Sequence, residues 1–160
     1  MTEQHISHAG DSDRTAMRLI HSRLCEEIRA GRLLTAAGDD FMFLFTLASR
    51  VYGDGIDSII ESPHYDLGRA ALIANARFPA SQLAATLCCL LTALDCLPAA
   101  YMDRVRESWE NDFVRVALAH TLRGAGAFMN PPLWDQIWGQ LAQWSRDRPE
   151  DLLPDAPKSS

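Results

Sequence analysis

Lysine is almost missing from this chain, with the single residue Lys158 set against fourteen arginines. That ratio, with abundant alanine, is the mark of a GC-rich genome and points to a bacterial source. The arginines are scattered from Arg14 to Arg148, so there is no basic run of the kind that gathers phosphate backbones. With 21 acidic against 15 basic residues and a net charge of −6, the chain as a whole repels nucleic acid. Alternating runs of β-branched and aromatic residues are also missing, which excludes a convincing strand. The uncharged stretch from Phe78 to Leu94 contains Pro79 and falls short of the roughly 18–20 residues that span a bilayer. The opening residues carry Glu3, Asp11 and Asp13 and no apolar centre, so they do not read as a secretory signal and a cytoplasmic location is expected. There the four cysteines, Cys25, Cys88, Cys89 and Cys96, remain thiols.

What the sequence does hold is apolar helical periodicity. Hydrophobic residues make up 48% and charged residues 22% of 160 positions, a composition that folds around one core and predicts a single domain. Polar ends over 1–11 and 154–160 read as flexible tails, leaving 12–153 as the helical domain. Met17, Ile20, Leu24 and Ile28 predict a first helix capped by Ser12 or Asp13 and ended by Gly31. Asp39 and Asp40 introduce a second helix, Phe41 to Tyr52, apolar on nearly every side and stopped by Gly53-Asp54-Gly55. A short stretch with Ile56, Ile59 and Ile60 runs into Pro63, and Asp66 caps a helix that ends near Arg77, ahead of Pro79. Gln82 to Leu97 is nearly all leucine, alanine and cysteine and reads as a central buried helix. Pro98 opens a long helix with Met102, Val105, Trp109, Phe113, Val116 and His120 on its apolar stripe, ended by Gly124 and Gly126. Asn130-Pro131-Pro132 starts the last one. The prediction is all-α: about six helices in an irregular orthogonal or bundle-like array around a central hydrophobic helix.

No constellation of reactive residues survives a check of its spacing. Cys88, Cys89 and Cys96 share a helix but lack the second ligand pair of a zinc site, and their leucine neighbours predict buried, slowly reacting thiols. His21 and His120 fall at or beside apolar stripes, as hydrogen-bonded core histidines do. Glu61 and His64 have the spacing of a di-iron ligand pair, yet Pro63 lies between them; His5 and His8 lie in the tail. Asp54, Asp57 and Glu61 lack the calcium-loop register, and Gly124 and Gly126 do not join a strand to a helix as a dinucleotide loop must. No catalytic residue, cofactor or metal is therefore expected.

The least routine feature is aromatic. Trp134, Trp138 and Trp144 follow the Pro-Pro start, and tryptophan combines large apolar area with a polar N–H, the chemistry of an interface anchor. They are the candidate partner-binding residues, with Trp144 at the edge of the stripe formed by Trp134, Ile137, Trp138 and Leu141. The expectation is a small acidic helical protein acting by protein–protein binding, of the immunity protein, effector chaperone, inhibitor or adaptor type. Its partner is another protein, and a homodimer would cover the second of two all-round apolar helices. The alternatives are a helical ligand- or DNA-binding regulator, and an enzyme with a site assembled from buried polar residues, to which His120, Asp95 and Glu107 are the candidates.

Overall fold

The computed structural model describes residues 4–95, 112–126 and 129–154, and within them the side chains of 4–13, 61, 63, 64, 95 and 112–117 lie outside the description. The protein is all-α, as the periodicity predicts. Among the described residues the elements are α1 (Gln4–Arg29), α2 (Ala36–Asp54), a 3-10 helix (Ile56–Glu61), α3 (Pro63–Arg77), α4 (Gln82–Asp95), α5 (Asp112–Gly126), α6 (Leu133–Asp147) and α7 (Pro149–Leu152). Two compact units emerge, one made of Met1–Thr46 with Ile137–Ser160 and the other of Leu47–Gln136. The divisions fall inside α2 and inside α6.

In the first unit α1 begins at Gln4, two turns before the expected cap and inside the stretch that the sequence assigns to a tail. Extending an existing helix adds a hydrogen bond per residue without a new nucleus, and Gly10, at about 1 kcal/mol, does not offset that gain. The other end follows the glycine prediction. Gly31 takes φ 71°, and its N–H and that of Arg32 donate to the carbonyls of Ile28 and Glu27, the paired bonds of a glycine-terminated helix. α2 also starts early, because Thr35 caps it: its hydroxyl accepts from Gly38 N–H at 2.9 Å. Gly38 thus lies inside the first turn. A Cβ there would stand 2.8 Å from the carbonyl oxygen of Leu152, and the Thr35 hydroxyl donates to the carbonyls of Asp151 and Leu152 at 3.1 and 3.4 Å. The unit's buried side chains include Met17, Ile20, Leu24, Phe41, Leu44, Leu141, Trp144 and Leu152.

His21 is half-buried, not a core residue, and its ring stacks on Phe45 at 3.8 Å and 18°. Its Nε2 lies 3.7 Å from the Cys25 sulfur one turn on. Burial lowers its pKa below the ordinary 6.5, because an imidazolium held there loses water. The unfolded chain therefore takes up this proton at a higher pH than the folded one, and stability falls as pH drops below about 6.5. His21→Phe is expected to flatten that decline. Urea titrations at a series of pH values check it; equal slopes for wild type and variant below pH 6.5 would contradict the assignment.

In the second unit the 3-10 helix ends at Glu61, ahead of Pro63, and Pro63 also opens α3 at its first position, where its missing N–H costs nothing. Asp66 is accordingly inside the helix instead of capping it, and its carboxylate accepts from Arg50 of α2 at 2.6 Å. α3 ends at Arg77 as the following proline requires. Ser81 caps α4, its hydroxyl accepting from Ala84 N–H at 3.1 Å. α4 packs against α3 and α5, and α5 also covers the 3-10 helix. The region expected to begin the long helix, with Pro98, Met102, Val105 and Trp109, lies outside the described residues.

Candidate functional site

The expectation of a central buried α4 does not hold for its outer side. Leu83, Leu87, Leu90 and Leu94 are buried, whereas Cys88 and Cys89 are exposed. Each residue of an α-helix turns about 100°, so positions one and two past Leu87 swing away from the stripe that the leucines fill. Ala85 and Thr92 share that exposed side. Slow native-state labelling is thus replaced by the opposite prediction: a thiol reagent is expected to modify Cys88 and Cys89 well before the half-buried Cys25, as peptide mapping of briefly treated protein will show. Cys96 lies outside the described residues. α2 is one-sided as well, with Phe41, Leu44, Leu47, Ala48 and Val51 buried and Thr46, Ser49 and Tyr52 exposed.

Two grooves of the second unit bring chemistry together. The first, about 340 Å³, lies among α4, the end of α5 and the segment leading into α6, and is lined by Gln82, Ala85, Thr86, Cys89, Leu90, Ala125, Met129, Asn130 and Gln136. None of these described lining residues is charged. The second, also about 340 Å³, is lined by Val51, Gly55, Ile56, Arg123, Gly126, Met129, Pro132, Leu133 and Trp134. Arg123 is the charged residue among those described, and it bridges to Asp57 at 2.5 Å, although its side chain is 66% exposed. Among the described residues, neither groove is lined by a histidine or a carboxylate. Gly124 lies inside the last turn of α5 and Gly126 is its final residue, so the helix ends at the glycines, and Asp57 pairs with Arg123.

The three tryptophans separate in burial. Trp134 is half-buried on the wall of the second groove, with Tyr52 set edge-on to it at 4.8 Å and 70°, and Tyr52 is 61% exposed. Trp138 is half-buried in the first unit. Trp144, placed by the sequence at the edge of the stripe and offered as a partner anchor, is buried, with its ring 6.3 Å from that of Phe41. The register explains this: seven residues separate Trp144 from Ile137, nearly two full turns, so the two share one line along the helix.

His120 is exposed on α5 and lines neither groove, contrary to its place on the apolar stripe. Glu107 and the side chains of Asp95, Glu61 and His64 lie outside the description, as do those of His5 and His8. Among the described residues no group of three or more His, Cys, Asp or Glu side chains is placed to hold a metal ion, and no helix is long and apolar enough to cross a membrane. Comparison with family models, with curated proteins and with solved structures finds no match.

Proposed function

We propose that this protein acts by binding another protein through the groove beside Tyr52 and Trp134. The observation that carries the reading is an aromatic pair at the rim of an apolar groove, one ring exposed and the other forming the wall. Trp134 held by Tyr52 is stiff, so it offers large contact area at small entropic cost, the property that concentrates binding energy in such residues. The floor, Val51, Ile56 and Leu133, takes an apolar or aromatic side chain, and Arg123 at its border takes a carboxylate next to it in the partner's sequence. The occupant is thus a protein segment with an apolar anchor beside an acidic residue. An immunity protein, effector chaperone, inhibitor or adaptor fits this description.

Tyr52→Ala separates partner binding from folding, because losing this exposed side chain and its edge-on contact with Trp134 costs about 0.5–1.5 kcal/mol, well short of a typical fold's total stability. Affinity purification from the native source is expected to retain a partner on wild type and lose it on Tyr52→Ala. Titration of that purified partner is expected to show a loss of about thirtyfold, the size of a 2 kcal/mol anchor. Equal affinity for both proteins would sink the assignment of this groove.

A further inference from the structure

In the first unit α1 joins two side chains whose roles the sequence treats separately. His21 and Cys25 are one turn apart and so share a face of the helix, and the Nε2 of one lies 3.7 Å from the Sγ of the other. Both residues are half-buried, so the pair is also open to solvent on one side. The imidazole is held in place, because the Phe45 ring of α2 lies nearly flat against it at 3.8 Å. Burial lowers the His21 pKa below its ordinary 6.5. At neutral pH the ring is therefore uncharged and keeps a nitrogen lone pair for a ligand.

We propose that His21 and Cys25 chelate a zinc-type divalent cation on α1. Zinc bonds of about 2.0–2.1 Å to nitrogen and about 2.3 Å to sulfur, opened to the tetrahedral angle, set the two donor atoms about 3.6 Å apart. The pair already stands at that separation, so an ion closes on it without a change of backbone. An imidazole and a thiolate suit a borderline-soft ion, whereas calcium and magnesium take oxygen donors and find none in this pair. On binding, the thiol proton leaves to solvent, and the thiolate neutralises part of the ion's charge. Among the described residues no third His, Cys, Asp or Glu joins the pair, so water fills the remaining positions. Arg18 and Arg29, exposed beside the pair along α1, repel a dication. With half the protein ligands of a closed structural site and this opposing charge, the site is exchangeable and fills and empties with the free ion. It uses none of the residues that line the two grooves and does not depend on the partner reading.

Cobalt(II) is the probe, because zinc is colourless, and the untagged full chain carries Cys88→Ser and Cys89→Ser to remove the two exposed thiols as competing ligands. Titration with cobalt is expected to raise a thiolate-to-cobalt charge-transfer band in the near ultraviolet, with one ion bound per chain, and zinc is expected to bleach it. Cys25→Ser on that background is expected to abolish the band, and His21→Phe to weaken cobalt binding about tenfold or more, with circular dichroism checking that each variant keeps its helices. A second measurement leaves both ligands intact. Zinc is expected to slow modification of Cys25 by a thiol reagent, read by peptide mapping, and magnesium to leave it unchanged. No charge-transfer band at millimolar cobalt, a band that survives Cys25→Ser, equal cobalt affinity in His21→Phe, or Cys25 modified as fast with zinc as without it would each overturn the site.

Discussion

Replacing Trp144 by alanine is expected to destabilise the protein by about 3–5 kcal/mol, the range for removing a large aromatic side chain from a core. The ring is 8% exposed and packs at a tilt of 57° to Phe41, which is itself fully buried and lies in line with Phe45 at 6.2 Å. Nothing small can refill that space without moving α6 residues that are already in contact, so most of the cavity cost remains. Urea denaturation followed by circular dichroism measures the loss. A decrease below about 1 kcal/mol, with a clear change in association instead, would return Trp144 to the role of a surface anchor.

The second large effect is expected at Asp66. The carboxylate is 10% exposed and pairs with Arg50 at 2.6 Å, while Arg50 is 37% exposed. Removing the acid strands a guanidinium whose Nε is already buried without a partner. Breaking a fully buried pair costs about 3–5 kcal/mol, but partial access of water to Arg50 screens the remaining charge, so Asp66→Ala is expected to cost about 2–3 kcal/mol. The pair need not be net stabilising. Arg50→Met combined with Asp66→Leu is expected to recover most of the loss, because apolar groups of similar volume avoid the desolvation that the ions incur. A double variant as unstable as Asp66→Ala, measured in the same denaturant cycle, would show that Asp66 is needed for more than its charge pair.

Helix identity was legible because burial on one side leaves a period of 3.6 in the sequence, as at Met17, Ile20 and Leu24. Helix starts were less legible. Thr35 and Ser81 cap through single hydroxyls, whereas the more conspicuous Asp39, Asp40 and Asp66 lie inside their helices. Composition also misleads where small apolar residues face solvent: Ala85, Cys88 and Cys89 resemble core positions until the angular order around Leu87 is counted. Trp144 was legible by that same count, seven residues from Ile137. The burial of Gln136 left no signal. The Pro131 carbonyl engages one end of its amide, a contact across a bend that periodicity does not encode. Tyr52 was likewise hidden, because its meeting with Trp134 joins positions far apart in the chain.

The Thr35 hydroxyl reaches the carbonyls of Asp151 and Leu152 across more than a hundred residues, and Leu152 is fully buried. During synthesis, then, α1 and the start of α2 emerge long before the residues that complete their core. The second unit, Leu47–Gln136, is continuous in the chain, whereas the first draws on both ends. Phe41 and Leu44 must wait for Trp144 and Leu152, and over that interval their apolar faces are open to chaperones and to other nascent chains. A stop codon ahead of Leu152 would leave those early helices permanently unfinished, however well the middle of the chain had folded.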